Sequence, residues 1–182
     1  MNLLVGGIAG LLCLAVSSVE AGNFAIDKFV IDIPEKFEGP VSAKPDAHTK
    51  THAFTVPRAE TSSAAVLQIT SVNRAIALSQ HADSELLEIS ERNLLQMLQG
   101  IERRRTEYRR SEPQAIRLAG VPAAEVAWAG KVNGLETNGK MFCVVSESGL
   151  IFFHVMGGGG SPNSDMAAAI SAVKKLRKPW AG

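Results

Sequence analysis

QAIRLAGVPAAEVAWAGKVNGLETNGKMFCVVSESGLIFFHVM, residues 114–156, is the longest run of strand signal in the chain. It divides into four strands joined by Gly-bearing turns. Gln114–Leu118 is the first, and Gly120-Val121-Pro122 turns it. Ala123–Val132 is the second, and strand alternation puts Val126, Trp128 and Val132 on one face. Two Asn-Gly pairs, Asn133-Gly134 and Asn138-Gly139, compete for the next turn, since both suit a type I′ hairpin. Met141–Ser146 is the third strand. Ser148-Gly149 turns it into the fourth, Leu150–Met156. Strands joined by turns this short run antiparallel, so the stretch reads as a meander sheet.

Shorter strand signals lie on its N-terminal side. Phe29–Ile33 alternates and is stopped by Pro34, Thr51–Val56 is closed by Pro57, and Ala65–Val72 is the third. Val41–Lys50 is polar, contains Pro45 and reads as loop. Between these strands and the meander the period changes. Leu87, Leu94, Leu98 and Ile101, with Met97 beside them, form one apolar helical face. The helix runs from about Ser84 to Arg105, capped by Asp83 or Ser84, with Glu85 and Glu88 in its first turn and Arg103, Arg104 and Arg105 in its last. Beyond the meander, Gly157–Gly160 is a break. Ser161 is a natural N-cap with Pro162 at the first helical position. Met166, Ile170, Val173 and Leu176 then mark a closing helix. The fold class is α+β: one antiparallel sheet of about six to seven strands flanked by helices.

The N-terminus has a different character. Leu3–Val16 is almost wholly apolar and leads to Val19-Glu20-Ala21, which suits a signal peptidase cutting between Ala21 and Gly22. Residues 1–21 thus read as a signal peptide, although no Lys or Arg precedes the apolar run. The run is too short to span a bilayer. Cys13 is preceded by Leu11 and Leu12, which excludes a lipid anchor. Residues 22–182 form one domain, periplasmic or secreted, with no transmembrane segment. Removing residues 1–21 takes away one acid and no base, so the formal net charge rises from +1 to +2. That balance points away from nucleic acid. Cys143 is the one cysteine left, so no internal disulfide forms and the core alone holds the domain.

Ile116-Arg117-Leu118-Ala119-Gly120-Val121-Pro122-Ala123-Ala124-Glu125-Val126 resembles the strand–turn–strand of the PsbP-like and DcrB-like exported proteins. The Ile33-Pro34 strand end and the Gly149 turn before an aromatic strand are similar too. The resemblance implies an antiparallel sheet flanked by helices. It supplies no shared catalytic residue, and a fold alone assigns no function. Lys178-Pro179-Trp180 departs from the Ser-Phe strand end of that pattern.

Four groups of residues are candidates for chemistry. If Ser148 and Gly149 form a two-residue loop, Cys143 lies directly opposite His154, about 5 Å away at Cβ, close enough for a thiolate–imidazolium pair. Against that, free Cys packs as a small hydrophobe, and no third orienting group is evident. His48 and His52 have metal-ligand spacing only on a helix; on a strand they lie roughly 13 Å apart, so they read as solvated loop histidines, and no metal or other cofactor is assigned. Five arginines between Glu102 and Arg110 offer a surface for an anionic ligand or another envelope protein, with Arg103, Arg105 and Arg109 as binding candidates, or simply a solvated helix end. Gly157–Gly160 lacks the Gly-Lys-Ser/Thr ending of a phosphate loop and reads as a connector. The sum is an exported, soluble binding or accessory protein, with a thiol enzyme built on Cys143 and His154 as the alternative.

Overall fold

The computed structural model describes residues 22–56, 65–74, 76, 80–159 and 164–178. The signal peptide and the Ser161–Pro162 helix start lie outside these residues. Twelve elements follow in order: β1 (Asn23–Ile26), β2 (Phe29–Asp32), β3 (Glu38–Ala43), β4 (Thr49–Thr55), β5 (Ala65–Asn73), α1 (Asp83–Glu102), β6 (Thr106–Arg110), β7 (Gln114–Leu118), β8 (Val121–Val132), β9 (Leu135–Ser146), β10 (Gly149–Gly158) and α2 (Ser164–Lys174). β1 and β2 form a hairpin. The other eight strands make one antiparallel sheet in the order β3-β4-β5-β10-β9-β8-β6, with β7 also paired to β8. The α+β sheet flanked by helices is therefore the fold.

Residues 114–156 supply β7 to β10 of that sheet, but two of the expected turns lie elsewhere. Asn133-Gly134 makes the β8–β9 turn, with φ of 51° and 76°, and Val132 faces Leu135. Asn138-Gly139 lies inside β9. A Cβ at Gly139 would sit 2.6 Å from the Trp128 ring, so this glycine gives the indole room across the strand pair. Gly149 likewise opens β10 rather than turning it. The loop is Glu147-Ser148, and a Cβ at Gly149 would fall 2.0 Å from the Val72 carbonyl oxygen of β5. At both positions glycine permits a close approach. The β7–β8 turn is Ala119-Gly120, one residue before the expected one, and Pro122 belongs to β8.

Three strands escaped the pattern. β1 is four residues long. β3 is a sheet edge interrupted by Pro40, which cannot donate to a ladder and so disguises the strand as loop. β6 carries three charged residues of its five because it lies along the opposite edge.

The two sheet faces carry separate cores. On one, α1 covers β8 and β9: Leu86, Leu94 and Leu98 pack on Val126, Trp128, Met141 and Cys143. Burying each such leucine contributes roughly 2 kcal/mol. The buried α1 positions are Leu86, Ser90, Leu94 and Leu98, so the face is rotated from the expected one and Leu87 is half-buried. The helix starts after Ala82, whose N–H is accepted by the Glu85 carboxylate at 3.1 Å, so neither Asp83 nor Ser84 caps it. It ends at Glu102, which makes Arg103 the C-cap and leaves Arg104 and Arg105 beyond it, so none of the three lies in the last turn. On the opposite face α2 and the β1–β2 hairpin enclose Leu67, Ile69, Phe142, Val144, Ile151 and Phe153. Met166, Ala169, Val173 and Leu176 are the buried residues of the closing segment, and Ile170 lies at its border. No described helix is long and apolar enough to cross a membrane.

Candidate functional site

The two-residue loop Glu147-Ser148 sets the register around Cys143. Cys143 pairs with Phe152, and His154 pairs with Met141. The directly opposed Cys143–His154 pair is not formed. The two residues lie diagonally on one face, about 7–8 Å apart. Both are buried, Cys143 fully and His154 to 8% exposure. Burial raises the Cys143 thiol far above the ordinary range, and the Ser90 hydroxyl opposes this only in part. Burial also pushes His154 down to about 4, and the nearby Arg105 charge adds to the shift. Each side chain is therefore held neutral, the opposite of a thiolate–imidazolium pair.

His154 belongs instead to an aromatic cluster. Its ring stands 5.5 Å from that of Trp128, and the Arg105 guanidinium lies 4.3 Å above the indole centroid. Arg105 Nε donates to Thr137 Oγ1 at 3.3 Å, and an Arg105 terminal nitrogen donates to the Ile101 carbonyl at 3.2 Å. The Arg105 stem runs over Gly130, where a Cβ would meet it at 3.2 Å. Glycines at 130 and 139 thus form a trough for Arg105 and Trp128. Arg105 is a structural residue, locked between α1 and the sheet.

The remaining arginines behave differently. Arg103 and Arg104 leave the end of α1 exposed, and Arg109 and Arg110 are exposed on β6. None of the four has an acidic partner among the described residues. Arg109 pairs with Ala129 and Arg110 with Trp128 across the β6–β8 ladder. Together with Ser111 and Ala127 they line an open groove of about 350 Å³. Glu107 on the same strand is neutralised by Lys131 at 2.7 Å. The β6 edge therefore presents two uncompensated guanidiniums, Arg109 and Arg110, beside small residues, and Arg103 and Arg104 add two more at the end of α1 just before it. Such planar forks suit carboxylates. Further along β8, the carboxyl of Glu125 is buried. Burial works to raise its pKa, but hydrogen bonds from Lys140 and Lys174 outweigh that and hold it below the ordinary value.

Lys50 and His52 stand two residues apart on β4, His48 lies just before the strand, and all three line one cleft. His52 Nδ1 and Ser42 Oγ share a hydrogen bond of 2.8 Å. Among the described residues, no group of three His, Cys, Asp or Glu is placed to hold a metal. Gly157 and Gly158 extend β10 opposite Asn138 and Thr137.

No protein-family model matches the chain, and no curated protein sequence does. Among solved structures it is similar to a protein of Bacteroides thetaiotaomicron, at 10% identity and a TM-score of 0.50 over 90% of this chain and 50% of that one. The likeness is one of fold. Two further similarities have lower scores. LpqN, involved in cell envelope biogenesis of Mycobacterium tuberculosis, has 12% identity and a TM-score of 0.43 over 90% of both chains. PA94 of Pseudomonas aeruginosa, a protein of unknown function, has 10% identity and a TM-score of 0.44 over 86% of this chain and 93% of that one. The chain spans half the length of the Bacteroides chain.

Proposed function

We propose that this chain is an exported, non-catalytic binding or accessory domain of the bacterial envelope, which holds an acidic protein partner along the β6 edge. The observation that carries the reading is the set of exposed arginines, Arg103, Arg104, Arg109 and Arg110, with no acidic partner among the described residues. Isolated exposed ion pairs are worth little, but several guanidiniums on one edge steer an acidic face into register. The resemblance to PsbP-like and DcrB-like exported proteins and the apolar run before Ala21 support export as part of the same proposal. The burial of Cys143 and His154 favours binding over thiol chemistry.

A photo-crosslinking side chain at exposed Glu112 tests this, with the same group at Val41, 63% exposed on the far edge, as control. Adducts to one envelope protein from position 112, weakened by added salt and absent from position 41, are the expected result. Adducts of equal yield from both positions, or none from position 112, would overturn the partner surface. Mass spectrometry of the periplasmic protein should find Gly22 as its first residue; a chain that keeps Met1 would contradict export by cleavage.

A further inference from the structure

The cleft on β4 has no part in the arginine edge, and its construction points to a ligand. Its floor is set by strand alternation. Lys50 and His52 share one side of β4, His48 lies just before the strand, and Ser71 of β5 faces Lys50 across the ladder. Its opposite wall is the β1–β2 turn with Asp27, and Ser148 of the β9–β10 turn closes one end. An ion pair between Lys28 and Glu147 ties those two turns together. The half-open cleft has a volume of about 330 Å³, the size of a small-molecule site. His52 is fixed in place by Ser42 and by the Phe24 ring, whose centroid is 5.0 Å away.

The charges are informative. Lys50 and Asp27 line the same cleft, yet neither has an ion-pair or hydrogen-bond partner among the described residues. A simple anion drawn to Lys50 would meet the Asp27 carboxylate. A simple cation drawn to Asp27 would meet the Lys50 ammonium. A molecule carrying both charges satisfies both walls, with the histidines and Ser71 left to hydrogen-bond its polar atoms. We infer that this cleft binds a small zwitterion of the amino-acid or short-peptide class, with its carboxylate at Lys50 and its ammonium at Asp27.

Amide NMR of the isotope-labelled protein tests the assignment. The probes are L-glutamine and glycylglycine as zwitterions, with acetate and ethylamine as the single-charge halves. The expected result is saturable shifts at Asp27, Lys50, Ser71 and Ser148 with at least one zwitterion, and binding at least tenfold weaker for each half. Lys50→Gln and Asp27→Asn alter exposed side chains, and each should weaken the zwitterion roughly tenfold, as expected for losing one charge-assisted contact. No saturable shift with either zwitterion would overturn the inference. So would acetate binding as tightly as the zwitterion, or an affinity unchanged in Asp27→Asn.

Discussion

Acid should loosen this domain through one residue, His154. Its imidazole is buried on β10, against the Trp128 ring and near the Arg105 charge, and its pKa falls from 6.5 to about 4. The unfolded chain takes up this proton near pH 6.5, and the folded chain resists until about pH 4. A group with a depressed folded pKa of this kind stabilises the fold in its neutral form. The stabilisation is present above pH 6.5 and drains away as pH falls through the window to 4. The full shift corresponds to roughly 3 kcal/mol, of which about 2 kcal/mol is lost between pH 7 and pH 5. That is a large part of the stability of an ordinary domain. Urea unfolding followed by circular dichroism at pH 7, 6 and 5 measures it, with His154→Phe as the non-titrating comparison. His52, also depressed by burial and by Lys50, contributes in the same direction to both proteins and cancels in the difference. The wild type should lose about 2 kcal/mol more than His154→Phe over that range. Parallel pH profiles would refute the buried, neutral His154.

Other expectations follow from the same cluster. Gly139→Ala drives a Cβ to 2.6 Å from the Trp128 ring and should cost about 1–3 kcal/mol in chemical denaturation, whereas Gly100→Ala, with nothing within 4 Å, should not destabilise. Arg105→Ala removes the stack on Trp128 and the bonds to Thr137 and Ile101, for about 1–2 kcal/mol, while exposed Arg104→Ala should stay within about 0.5 kcal/mol. Cys143 should resist iodoacetamide at pH 8 in the folded protein and react once urea unfolds it; alkylation of the native chain at the rate of a free thiol would contradict its burial.

The long apolar alternations were legible in the sequence because each sheet face has a helix or hairpin to cover it. Residues 114–156 therefore announced four consecutive strands, β7 to β10. The misplaced turns share a cause. Ser148-Gly149 and Asn138-Gly139 look like turn dipeptides, but Gly149 lets β5 approach and Gly139 accommodates Trp128. Both demands come from neighbours across the sheet, which local sequence cannot show. β3 and β6 were hidden because edge strands carry charge and proline on purpose, which removes the apolar signal. The Cys143–His154 pairing depended on that same loop, and a shift of one residue in the loop moved the partner of Cys143 from His154 to Phe152. Arg103 and Arg109 could be read as exposed cations from their surroundings. The structural part played by Arg105 could not, because it depends on Trp128 and Gly130, more than twenty residues away.

The most direct test of the arginine edge is partner capture by a variant that reverses it. Wild-type protein and the variant Arg103→Glu, Arg104→Glu, Arg109→Glu, Arg110→Glu would be used in parallel to draw cross-linked partners from the envelope, after denaturation has shown that both are folded. Arg105 is left intact because the fold uses it. The expected outcome is at least a tenfold loss of the partner captured by wild type, and equal capture by the two proteins would contradict the proposal.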